Sequence, residues 1–108
     1  MNVPYDKAIK IVDKYGVTNQ KYKAAEELSE LMTLVLQDAN CKGKVGTEHI
    51  TEEIADVYVM LKQLEAIYFL DDRDLQQFVD FKMERALKEN RSVRWEEEAK
   101  AEANLHRG

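Results

Sequence analysis

Apolar residues recur along this chain at intervals of three and four, the period of a helix with one buried face, and four stretches carry it. The first runs from Tyr5 to Tyr15, with Ala8, Ile9, Ile11 and Val12 on its apolar face. Pro4 suits its start and Gly16 its end. The second runs from about Thr18 or Asn19 to Asn40 and carries Ala24, Ala25, Leu28, Leu31, Met32 and Val35. Cys41 to Gly46, with two glycines and two lysines, breaks it. The third begins after Thr47, which has N-cap chemistry, or after Thr51, and extends to about Leu70. Asp71 to Asp74 reads as a turn with capping potential. The fourth stretch follows with Leu75, Phe78, Val79, Met83, Ala86 and Leu87. Beyond about Lys88 the pattern decays.

The third stretch differs from the others. From Ile54 to Leu70 it is apolar on most of its circumference, through Val57, Tyr58, Val59, Met60, Leu61, Leu64, Ile67, Tyr68 and Phe69. A helix apolar nearly all round is buried on most sides, and three partner helices of one small chain cannot cover it. The expected fold is therefore all-α: a bundle of about four helices per chain, completed by homo-oligomerisation into a dimer or a dimer of dimers. Four glycines and one proline agree with this, since turn-rich β folds use more of both. Residues 1–90 form the expected helical domain. Residues 91–108 form a charged tail or helix extension, from which Trp95 could dock on the body or on a partner subunit.

Charge narrows the function classes. A net charge of −5 argues against binding nucleic-acid polymers, which calls for a basic footprint. No apolar run approaches a membrane span, and Met1 to Lys10 carries no signal-peptide core. The single cysteine, Cys41, sits in a Lys/Gly-rich stretch with no histidine near it in sequence, so it reads as a surface thiol in a reducing, cytoplasmic setting.

The candidate chemistry is acidic. Glu26-Glu27-Leu28-Ser29-Glu30 lies in the second stretch and Glu53-Ile54-Ala55-Asp56 in the third. Glu27 and Glu30, and likewise Glu53 and Asp56, are three residues apart, which places each pair about 60° apart on one helix face. The face that Glu53 and Asp56 head continues as Val57, Met60, Leu64 and Ile67, and Glu27 and Glu30 share theirs with Leu31 and Leu34. Solvated acids would share a face with Lys, Gln or Ser. Compensation of the helix dipole accounts for Glu52 and Glu53 but not for Glu27 and Glu30, which are mid-helix. Buried salt bridges to Lys or Arg remain one alternative. The other is a cation, because converging carboxylates repel and are costly to desolvate. Oxygen-only ligands select Mg²⁺, Mn²⁺ or Ca²⁺. The Glu-x-x-His pairs of di-iron bundles, a zinc pattern, an EF-hand loop and a Walker A loop are all missing from the sequence. Mg²⁺ on a few carboxylates usually completes its shell with water and substrate phosphates, so the cluster points to phosphate chemistry.

Taken in order, Gln20, the Glu26–Glu30 motif, Glu52-Glu53-Ile54-Ala55-Asp56, and then Lys82 and Arg85 resemble the MazG-like all-α nucleoside triphosphate pyrophosphohydrolases, relatives of the dimeric dUTPases and the phosphoribosyl-ATP pyrophosphohydrolases. The resemblance covers roughly residues 15–85. It implies an enzyme that binds Mg²⁺ or Mn²⁺ and hydrolyses a (d)NTP to the (d)NMP and pyrophosphate in nucleotide-pool house-cleaning. It implies metal-binding and catalytic roles for Glu27, Glu30, Glu53 and Asp56. Glu26 would support them from behind or act as the base, and Lys82, Arg85, Gln20 and Lys23 would contact substrate. Read without it, Lys82 is a lysine at the edge of a core, Lys23 pairs with Glu27 and Gln20 caps its helix. The gap between the acidic motifs is short, and the extra helices of the dimeric dUTPases have no counterpart here. Two other readings stand beside the enzyme: a non-catalytic helical interaction module or inactive MazG-like nucleotide binder, and a structural Ca²⁺ site.

Overall fold

The computed structural model describes residues 1–41, 43–89 and 99, and among them it is all-helical. The charged tail with Trp95, and the side chain of Cys41, lie outside the described residues. Four helices are present: α1 (Tyr5–Tyr15), α2 (Val17–Cys41), α3 (Thr47–Ile67) and α4 (Asp72–Lys88). None of them is long and apolar enough to cross a membrane. The chain divides into two compact units, Met1–Asp71 with α1 to α3, and Asp72–Gly108 with α4. The division falls inside the 1–90 segment that the sequence marks as one helical domain.

Local chemistry sets the helix ends. At α1, Ala8 donates its N–H to Pro4, and Gly16 stops the helix at φ 92° while donating to Val12 at 2.7 Å. That angle lies in the region glycine enters without steric penalty. At α3 the expected cap moves by one residue. Gly46 is the N-cap with extended backbone and no side-chain bond, Ile50 donates to its carbonyl, and Thr47 is already helical. The Thr47 carbonyl accepts instead from the Thr51 hydroxyl, 2.7 Å away.

The C-terminus of α3 is a second correction. The apolar pattern runs to about Leu70, but the helix stops at Ile67. Phe69 adopts φ 54°, Leu70 donates to Glu65 at 2.9 Å and Phe69 to Ala66 at 3.3 Å. These bonds are those of a Schellman C-cap, with phenylalanine where glycine is usual. Hydrophobic periodicity cannot register such an end, because Tyr68, Phe69 and Leu70 keep the pattern while their backbone leaves it.

In the first unit α3 packs chiefly on α2 and next on α1. The seam between α2 and α3 is partly polar. Ala24, Leu34, Val57 and Met60 are buried there, together with Gln20, Glu27, Glu53 and Gln63. Ala8 and Val12 supply α1's buried face, whereas Ile9 is exposed. Much of the expected core of α2 and α3 is open in the single chain. Leu28, Met32, Val35 and Leu36 on α2 are exposed, as are Ile54, Tyr58, Val59 and Leu61 on α3. On α4, Phe78, Val79, Met83 and Leu87 are exposed as well.

Phe69 makes the α3 cap testable. Its side chain is 90% exposed, so it gains little from burial, while its left-handed backbone costs about 1–2 kcal/mol. Glycine removes that cost but adds roughly 0.5–1 kcal/mol of unfolded-chain entropy. Phe69→Gly is therefore expected to stabilise the protein by up to about 1 kcal/mol. The reading is a higher urea midpoint at unchanged slope, and a lower midpoint would show that the phenyl ring packs to greater effect than its exposure implies.

Candidate metal centre

The acidic residues meet because of register. Gln20 on α2 touches Gln63 on α3, an early residue against a late one, so the two helices run antiparallel. Seven residues further along α2 and seven back along α3, Glu27 comes level with Asp56. Three more bring Glu30 level with Glu53. Seven residues are two turns, so each pair recurs on the same face about 10 Å along the axis.

Glu27, Glu30 and Glu53 each offer a carboxylate oxygen, and the three oxygens lie within 4.8 Å of one another. Glu27 and Glu53 are buried and Glu30 is exposed. Asp56, the fourth expected ligand, is outside this triad. It is exposed, lines the adjoining cavity, and is close enough for its charge to act on Glu53. Glu26 lines the same cavity from α2.

The electrostatics of the triad are unfavourable to three anions. As carboxylates, Glu27 Oε2 and Glu53 Oε1 are sealed from solvent with no donor in reach. Lys23 approaches the other oxygen of Glu27 at 3.5 Å, the pairing that helix spacing allows, but its side chain is about half exposed. A surface contact of that kind offsets little of the burial cost. Glu53 responds by holding its proton. Its pKa rises from 4.5 to about 7, first because its acid group hydrogen-bonds with the Glu27 carboxylate, then because burial disfavours its charge, and then because Glu27, Glu30 and Asp56 repel it. A cation relieves the same repulsion. Two buried carboxyl groups and a third exposed one suit a hard divalent ion that keeps part of its shell for water or substrate.

Beside the triad opens a cavity of about 620 Å³ between the helices of the first unit. Its acidic end is formed by Glu26, Glu27 and Asp56, and its other end by the amides of Asn19, Gln20 and Gln63. Tyr15 and Tyr22 contribute aromatic walls, and Lys23 also lines it. Gln20 does not cap its helix. It is buried, and its Nε2 donates to Gln63 Oε1 at 2.7 Å. Gln63 is a residue that sequence reasoning passed over. Its signal was available: a glutamine inside an apolar run, on the α3 face of Asp56 two turns back. Lys82 and Arg85 stand exposed on α4, in the second unit.

No protein-family model matches this chain, and neither a curated protein nor a solved structure matches it.

The shifted carboxyl gives a pH signature in metal-free protein. Glu53 holds its proton more tightly folded than unfolded, so its contribution is fully present below about 4.5 and is lost as pH rises through about 7. At about 1.4 kcal/mol per pKa unit the loss is on the order of 3 kcal/mol. Glu53→Gln, which carries no charge to desolvate, should lose less stability than wild type between pH 5 and pH 8. The two proteins should be closest at the acid end. Parallel denaturation curves at each pH measure this, and a constant gap between them would show that Glu53 titrates normally.

Proposed function

We propose that this chain is a Mg²⁺- or Mn²⁺-dependent nucleotide pyrophosphohydrolase of the MazG-like type, hydrolysing a (d)NTP to the (d)NMP and pyrophosphate. The observation that carries this reading is the burial of Glu27 and Glu53, whose Oε2 and Oε1 meet no lysine, arginine or amide donor, within a three-carboxylate cluster that borders a nucleotide-sized cavity. Acids placed for solubility would face water. Acids placed for helix pairing would face lysine or arginine, and Lys23 is a half-exposed partner to one oxygen of one of them.

Glu27, Glu30 and Glu53 would hold the cation, with Asp56 beside them at the cavity wall. When bound, the ion neutralises phosphate charge and lowers the pKa of an attacking water. Glu26 is exposed on the same wall, which suits a carboxylate that accepts the proton of that water. The neutral amide end of the cavity suits the base and sugar rather than the phosphates. Lys82 and Arg85 carry the charge a polyphosphate requires, in the role that the resemblance gives them.

The proposed working state is a homodimer or a dimer of dimers in the cytoplasm. Six apolar side chains are buried among the described residues, while whole apolar faces of α2 and α3 are exposed. A core that small leaves little margin over chain entropy, and a second copy covering Leu28, Met32, Tyr58 and Leu61 would supply it. The same faces favour a second reading, a non-catalytic helical interaction module or an inactive nucleotide binder. Divalent metal separates the two, since a ligand that binds only the native state must stabilise it.

Three outcomes are expected. Mg²⁺ or Mn²⁺ raises the melting temperature of wild type, with Ca²⁺ giving a smaller rise. Pyrophosphate appears from at least one (d)NTP only when metal is present. Alanine at Glu27, Glu30 or Glu53 abolishes both effects, while Asp56→Ala abolishes turnover and leaves part of the thermal shift. Full activity in the Glu27→Ala and Glu53→Ala variants would sink the site assignment. A metal-induced shift without turnover on any nucleotide would move the reading to the inactive binder. Separately, light scattering at micromolar concentration should give at least twice the chain mass, and a monomer would exclude the proposed assembly.

A further inference from the structure

We infer that Gln63 sets which nucleobase the cavity accepts, acting as a positioning residue through Gln20; the inference rests on the nucleotide reading above. Gln63 is 1% exposed, the most completely buried polar side chain among the described residues. Its Oε1 accepts from Gln20 Nε2 at 2.7 Å, and its own Nε2 finds only the Met60 sulfur, a weak acceptor, at 3.6 Å. A buried amide is costly unless it is well bonded, and two apolar residues of the same shape would hold this seam about as well. The pair is useful if something in the cavity needs an amide held in one orientation.

The geometry supplies that need. Both glutamines line the cavity, and with Gln20 Nε2 committed to Gln63 the Gln20 oxygen accepts no hydrogen bond from a described residue. Gln63 thus decides that Gln20 offers an acceptor oxygen to the cavity. A ligand that uses it must bring an N–H donor, as the hydrogen-bonding edge of a nucleobase does. Gln20 and Glu27 are on one face of α2, two turns and about 10 Å apart along the axis. A nucleotide spans a comparable distance between its phosphates and the far edge of its base. With phosphates at the acids, the base edge reaches the amide pair, and Tyr15 and Tyr22 line the same cavity.

The test uses full-length protein with Mg²⁺ and calorimetric dissociation constants. The ligands are α,β-imido analogues of dUTP, dCTP, dTTP, dATP and dGTP, with inorganic tripolyphosphate as the base-free probe. Wild type should bind the five analogues with a spread of tenfold or more. Gln63→Met should narrow that spread by about tenfold, the worth of one uncharged hydrogen bond, and leave tripolyphosphate binding unchanged. Gln20→Met should do the same, and the double variant should show no further narrowing, because one residue acts through the other. The double variant replaces both amides by apolar groups, so it serves if Gln63→Met alone does not fold. An unchanged spread in Gln63→Met or the double variant overturns the inference. So does equal weakening of every ligand including tripolyphosphate, which is what a purely structural glutamine would give. Tripolyphosphate binding in wild type without any analogue binding also overturns it and leaves the metal site standing. Binding of neither removes the nucleotide reading and this inference together.

Discussion

Two acids, Glu27 and Glu53, meet inside the contact between α2 and α3, and the packing of the first unit depends on that burial. Burial and the negative charge of its neighbours, Glu27 first among them, disfavour ionisation of Glu53. A proton shared between them satisfies the pair up to about neutral pH. Above that, a divalent cation would supply the counter-charge under the proposed function. A protein that needed only a helix pair would place leucine at both positions and gain stability. The acids are a standing cost to folding that binding can remove.

That cost explains how the apolar residues are distributed. The α2–α3 seam buries Gln20, Glu27, Glu53 and Gln63 alongside Ala24, Leu34, Val57 and Met60, so as many polar as apolar side chains lie along it. Hydrophobic burial at roughly 25 cal/mol per Å² cannot come chiefly from such a contact. The large side chains are instead on the outer faces, at Leu28, Met32, Val35, Tyr58 and Leu61. One interior is given to the site, and the surfaces that would stabilise it face outward, where a second copy can meet them.

Helix number, the bounds of α1, the bounds of α2 to within two residues, and the face on which each pair of acids lies could be read from spacing because each depends on residues close in sequence. The α1 face, Pro4 and Gly16 are local signals, and so is the pairing of acids three apart. Three features escaped for a common reason. The α3 C-cap depends on a backbone angle at Phe69 that hydrophobicity does not encode. Asp56 shares a helix face with Glu53, but whether it joins the triad depends on the register of α2 against α3. Gln63 and Gln20 lie 43 residues apart, and nothing short of that register pairs them. Faces can be read from one helix, whereas contacts require two.

The register also gives the cavity its polarity. Because α2 and α3 run antiparallel with Gln20 opposite Gln63, stepping toward the middle of α2 reaches Glu27 and then Glu30, while the same step back along α3 reaches Asp56 and then Glu53. Charge therefore accumulates at one end of the groove, and neutral hydrogen-bonding groups remain at the other. Under the proposed function, a ligand matched to this gradient would be anionic at the end where a cation would offset the acids. At its far end it is uncharged, flat and hydrogen-bonding. Slipping α2 by one turn would set Gln20 against Met60 or Ala66 of α3 and break the amide pair. The buried amide pair thus holds the register that brings the acids of the two helices to one end of the seam. Catalysis and selectivity, on this reading, are two consequences of one helix alignment.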